Sequence, residues 1–102
     1  MQHDLFVNPN RRMRTVYPFL VDLQADLVGG THRVIAPLAP RAAVARGGSQ
    51  LLPIVAHGGQ DYLLMLTLLG ALPAHLLRNA VGTVRHARCE ITRSLDWLFS
   101  GI

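Results

Sequence analysis

Five histidines (His3, His32, His57, His75 and His86) and one cysteine, Cys89, are the groups from which this chain could build a nucleophile or a metal site. His86 and Cys89 are three residues apart, a spacing that sets both on one face of a helix. A thiol beside an imidazole is the minimal arrangement for nucleophilic catalysis. Cys89 borders an apolar stripe, however, where a thiol usually packs as a small inert hydrophobe. Two ligands also fall short of a structural zinc site, so no metal is expected. No G-x-G-x-x-G, Walker loop or G-x-S-x-G occurs, and no cofactor or catalytic residue is expected.

Arginine is the other chemically pointed residue. The ten Lys and Arg residues are all arginine, and the formal net charge is +4. The guanidinium fork suits carboxylates and phosphates. Arg11, Arg12 and Arg14 lie together, but the rest are scattered, which favours acidic partners in general without defining a nucleic-acid footprint. A ribonuclease would need a base and an acid beside such an arginine clamp, and nothing in the spacing fixes one.

The elements that would have to position these groups are short. At 102 residues and 50% hydrophobic content, the chain has the size of one domain with a modest core. A single cysteine permits no internal disulfide and suits a reducing compartment. Met1-Gln2-His3-Asp4 lacks the basic and apolar regions of a signal peptide, and the most apolar run, 62–74, is interrupted by Gly70 and Pro73. A soluble, cytoplasmic protein with no membrane partner is expected.

Alternation predicts a first strand over 2–7, then a turn at Asn8-Pro9-Asn10 and a basic loop. Residues 16–23 read as a strand with Pro18 at an edge or bulge. Gly29-Gly30-Thr31 turns the chain into a strand at Arg33-Val34-Ile35, which Pro37 and Pro40 are expected to limit. Residues 41–50 read as a mobile surface loop, 51–56 as a strand and 57–61 as a hairpin connection. Residues 62–72 suit helix by propensity and strand by position. Val84, Ala87, Ile91, Leu95 and Leu98 form one helical apolar stripe, and Gly101 is placed to end that helix. Strands followed by one helix suggest a small barrel or rolled sheet with the helix packed on it. The closing Phe99 and Ile102 are groups that water disfavours, to be buried against the body or presented to a partner.

Val21-Asp22-Leu23-Gln24-Ala25-Asp26-Leu27, Val34-Ile35-Ala36-Pro37-Leu38, Leu52-Pro53-Ile54-Val55, Leu72-Pro73-Ala74 and Phe99-Ser100-Gly101-Ile102 follow one pattern in order and spacing. Nearly end to end, it resembles the CcdB family of toxins from bacterial toxin-antitoxin modules. The resemblance implies a mainly β fold, an SH3-like β-barrel of the CcdB/MazF type with a C-terminal α-helix. It implies a single toxin domain over 1–102, with the barrel over about 1–80 and the helix over about 84–99. It also implies a homodimer, and it tips 62–72 towards strand. Family members are not enzymes. They bind the A subunit of DNA gyrase and trap the gyrase-DNA cleavage complex, until a cognate CcdA-type antitoxin with a disordered tail releases it. Operator DNA is a partner only of toxin and antitoxin together. Carried onto this chain, the gyrase-binding residues are Leu27, Val28, Asp96, Phe99, Ser100, Gly101 and Ile102.

The chain departs from the family pattern at the tip. Toxic members carry tryptophan where Ser100 stands, and an amide where Asp96 stands. A tryptophan buries roughly 150–250 Å² and is a typical interface anchor. Its loss costs on the order of 2–4 kcal/mol, or roughly 30- to 1,000-fold in affinity. Trp97 lies one turn back on roughly the same face and is an auxiliary contact candidate. Two alternatives accompany the gyrase reading. One is a non-toxic protein of the same fold that binds antitoxin as a co-repressor. The other is an mRNA endoribonuclease of the MazF type, whose arginine-glycine-acidic motif is missing from 7–16.

Overall fold

Leu5 and Phe6 pair with Val21 and Leu20 across the first antiparallel hairpin of the chain. In the computed structural model, which describes residues 1–44 and 52–101, β1 is Asp4–Val7 and β2 is Phe19–Asp22, paired antiparallel with Leu5 opposite Val21. Strand β3 (His32–Pro40) is the long central strand. It is followed by β4 (Ile54–His57), β5 (Gln60–Leu64), β6 (Gly70–Pro73) and β7 (Gly82–Thr83), and the chain ends in helix α1 (Arg88–Ser100). The hydrogen-bonded order is β4-β5-β3-β2-β1-β7, with β6 also pairing β3. The fold is mainly β, a nearly closed antiparallel barrel-like sheet with one C-terminal helix.

Strand β3 runs straight through Pro37, where the sequence predicted a limit. The reason lies in its neighbours. On one side β3 pairs β6 over His32–Ile35 and then β5 over Leu38–Pro40. Pro37 falls at the changeover, and its carbonyl accepts the Met65 N–H there. The Met65 carbonyl accepts the Leu68 N–H at 3.0 Å instead, so the donor that proline lacks leaves no orphan acceptor.

The second strand starts later than predicted, at Phe19, with Pro18 outside it. Residues 62–72 are neither one helix nor one strand: β5 ends at Leu64, a 3-10 turn occupies Leu66–Leu68, and β6 begins at Gly70. The predicted loop at 41–50 opens with a 3-10 turn at Arg41–Ala43, and its remainder from residue 45 lies outside the described residues.

Leu5, Val21, Ala36, Leu38, Val55, Leu64 and Leu66 fill the interior, joined by Val84, Ala87 and Ile91 from the C-terminal segment. Each fully buried Leu, Ile or Val contributes roughly 1.5–3 kcal/mol. The two ends of the strand order approach through side chains. A Cβ added to Gly82 on β7 would lie 3.0 Å from Cε1 of His57 on β4, so any larger residue requires the ring to shift by a few tenths of an ångström. His57 in turn meets Phe19 edge to face, with centroids 5.0 Å apart, and Phe19 meets Tyr62 the same way at 5.6 Å.

Candidate functional site

The C-terminal segment enters through a 3-10 turn at Arg85–Ala87 and continues as α1. The predicted stripe is buried at Val84, Ala87 and Ile91 and partly buried at Leu95. It then runs out: the helix rests on the 3-10 turn at Leu66–Leu68, and Leu98 is 42% exposed. Trp97 is 48% and Phe99 71% exposed, so Phe99 is a surface residue rather than core. Gly101 ends the helix at φ 70, and its N–H reaches the Trp97 carbonyl at 3.0 Å. A residue with a Cβ is strained in that left-handed conformation. Asp96, Ser100 and Gly101 are also exposed, and Ile102 lies outside the described residues.

Leu27 and Val28 occupy the β2–β3 loop. Leu27 is 100% exposed and Val28 55%, so the loop holds two apolar side chains in water. Among the described residues Leu27, wholly uncovered, makes no contact with the helix tip, and the loop and the tip present their apolar groups on different elements.

The loop is held from below. Asp22, almost wholly buried, accepts Nε of Arg33 at 3.0 Å and Nη2 at 2.8 Å on Oδ2, while its Oδ1 accepts the Gln24 N–H at 3.0 Å. Arg33 Nη2 also donates to the Gln24 carbonyl at 2.9 Å. The Gln24 side chain then donates to the Val28 carbonyl at 2.8 Å and accepts the Val34 N–H at 3.1 Å. The bonds made by the Asp22 carboxylate and the Arg33 guanidinium are charge-assisted, roughly twice as strong as neutral ones. Arg33 was not singled out by sequence. Asp22 and Gln24 stand in the Val21-Asp22-Leu23-Gln24 motif, whose spacing was the available signal.

The candidates for chemistry are dispersed. Cys89 is exposed rather than packed on the stripe, and His86 belongs to the preceding 3-10 turn. Cys89 borders a shallow cavity of about 470 Å³ with Gln2, His3, Arg88 and Thr92. Burial, then the Arg85 and Arg88 guanidinium groups, push the His3 imidazole below its ordinary value, against the opposing pull of Asp22 and Asp26. Among the described residues no group of three or more His, Cys, Asp or Glu is placed to hold a metal ion. Among them, too, no helix is long and apolar enough to cross a membrane.

Arg11, Arg12 and Arg14 sit on the β1–β2 loop, which Asn8 organises: its side chain donates to the Tyr17 carbonyl and accepts the Asn10 N–H. Arg14 Nε donates to the Asn8 carbonyl at 2.6 Å. Among the described residues no histidine is hydrogen-bonded to these arginines.

A family model described as CcdB protein matches residues 2–101. The chain belongs to the CcdB family, the toxins of bacterial toxin-antitoxin modules.

Proposed function

We propose that this CcdB-family protein acts by binding the A subunit of DNA gyrase and trapping the gyrase-DNA cleavage complex, without catalysis of its own. The contact surface is Leu27, Val28, Asp96, Phe99, Ser100, Gly101 and Ile102, with Trp97 as an auxiliary contact, assembled across a homodimer. A CcdA-type antitoxin relieves the inhibition, and operator DNA is bound only by the two proteins together. The observation that carries this reading is the apolar helix tip, where Phe99 remains 71% exposed. Trp97 and Leu98 are exposed beside it, and contiguous exposed apolar groups, unlike single ones, mark interaction surfaces. A dimer would bring two tips and two β2–β3 loops into play, supplying one surface from features that are separate within the chain.

The test is titration of the purified protein with a gyrase A fragment by calorimetry. Binding that disappears when residues 101–102 are removed supports the proposal. No detectable binding at tens of micromolar overturns it.

Ser100 favours a second reading. Without the tryptophan of toxic members, the protein can keep the fold and antitoxin recognition while poisoning is lost, serving as a co-repressor. Harmless overexpression together with tight antitoxin binding supports that reading, and growth arrest rules it out.

A further inference from the structure

We infer that Gln24, backed by the Asp22–Arg33 pair, is the positioning residue of the β2–β3 loop, holding Leu27 and Val28 in their binding conformation before the partner arrives. The inference rests on reading Leu27 and Val28 as gyrase-facing.

The loop has every reason to be loose on its own. Leu27 is fully exposed and gains nothing from the body, and Gly29 and Gly30 follow at once, Gly30 at φ 128. Ordering such a loop upon contact would be charged against affinity. The observed bonds remove that freedom in sequence. Asp22 Oδ1 takes the Gln24 N–H and Arg33 takes the Gln24 carbonyl, so both backbone groups of Gln24 are held. Its side chain then spans the loop, tying the Val28 carbonyl on one side to the Val34 N–H of β3 on the other. The Val28 N–H is bonded to the Ala25 carbonyl at 3.0 Å. Asp26, immediately before Leu27, accepts the Gln2 N–H at 2.9 Å and lies 3.6 Å from the Arg33 guanidinium. Leu27 is thereby bracketed by two anchored residues. Asp22 and Arg33 are themselves shielded, at 3% and 17% side-chain exposure, so water competes poorly for their bonds.

None of Asp22, Gln24 and Arg33 needs to touch a partner for this role. Their effect on binding is exerted through the conformation of Leu27 and Val28. If loosening reduces the competent loop conformation to about a tenth of the population, apparent Kd rises about tenfold.

The experiment uses the full chain, with Gln24→Ala and Leu27→Ala. Gln24→Ala leaves the Asp22–Arg33 pair intact, and the amide spectrum of β3 and β5 reports that the barrel is folded. Backbone relaxation should show order parameters at Leu27 and Val28 falling from about 0.85 to below about 0.6 in Gln24→Ala, with Leu38 and Leu64 unchanged. Kd for the gyrase A fragment should rise about tenfold. Leu27→Ala should also weaken binding, but with the Val28 amide as ordered as in the parent, which separates lost contact from lost positioning. Unchanged order at Leu27 and Val28 in Gln24→Ala overturns the inference, as does a loosened loop with unchanged Kd. If the parent protein does not bind the fragment at all, the gyrase reading falls. The relaxation data then decide the positioning role alone: a loop rigid in the parent and mobile in Gln24→Ala sustains it, and equal mobility overturns it.

Discussion

Arg33 delivers two nitrogens to a single oxygen of Asp22, Nε at 3.0 Å and Nη2 at 2.8 Å from Oδ2. The other oxygen is thereby left for the Gln24 N–H. Asp22 is buried and Arg33 partly so, at 3% and 17% side-chain exposure, and the carboxylate depends chiefly on the guanidinium for its solvation. Arg33→Ala should lower the unfolding free energy by about 3–5 kcal/mol, because it strands the carboxylate of Asp22. Urea unfolding followed by far-ultraviolet circular dichroism measures it. Arg33→Lys should recover only part of the loss, since an ammonium group cannot match the planar fork that serves Asp22 and the Gln24 carbonyl together.

The His3 imidazole titrates below its ordinary value in the folded state, chiefly through burial and then the nearby arginines. The unfolded chain therefore binds a proton more readily than the folded one. The stability linked to His3 is complete above the ordinary histidine range of about 6.5 and declines as pH falls below it towards the folded value. Unfolding free energies measured between about pH 7 and pH 5 should fall with acidification. In His3→Gln that part of the slope should vanish; an identical slope in the variant would assign it to other groups.

Ile91 and Phe99 lie on the same helix with opposite environments, 1% and 71% exposed. Ile91→Ala should cost about 2–5 kcal/mol of stability. Phe99→Ala should change stability by no more than about 0.5 kcal/mol. Its effect should fall instead on binding of the gyrase A fragment, read by calorimetry beside thermal unfolding of both variants.

Ser100→Trp places an aromatic anchor at the exposed helix tip, beside Gly101. It should strengthen binding to the gyrase A fragment by roughly 30- to 1,000-fold. Induced in cells with normal gyrase, the variant should arrest growth more strongly than the parent. Equal growth of the two would show that Ser100 is not the limiting feature of the surface.

What could be read from sequence was whatever is decided within a turn or two of chain. The three-and-four spacing of Val84, Ala87 and Ile91 marked their burial, and Gly101 after an apolar run marked the helix end, because both depend on close neighbours along the chain. The helix itself starts at Arg88 rather than near 84, since a 3-10 turn at Arg85–Ala87 leads into it. The same spacing failed at Leu98: periodicity locates a face but not how far the barrel reaches beneath it. Pro37 misled for a related reason. Its compatibility with β3 depends on where β6 gives way to β5, which proline chemistry alone does not reveal. The partner of Asp22 is eleven residues away on another strand, so the motif was visible and its purpose was not. Gly82 likewise read as nothing in particular until the His57 ring was found against it.

The seam at Gly82 and His57 has a bearing on how the molecule comes apart. Strand β7 is joined to β1 by only two register pairs, Asp4 with Thr83 and Leu5 with Gly82. On its far side the seam is an imidazole resting on bare backbone. Few ladder bonds and the buried Val84, Ala87 and Ile91 hold the C-terminal segment, so its opening is expected to cost less than that of the central sheet while exposing part of the core. In native-state hydrogen exchange the amides of Ile91 and Leu95 should exchange before those of Ala36 and Leu38. A partner that grips the helix tip would then be seen as slowed exchange along the whole of α1, well beyond the residues it covers.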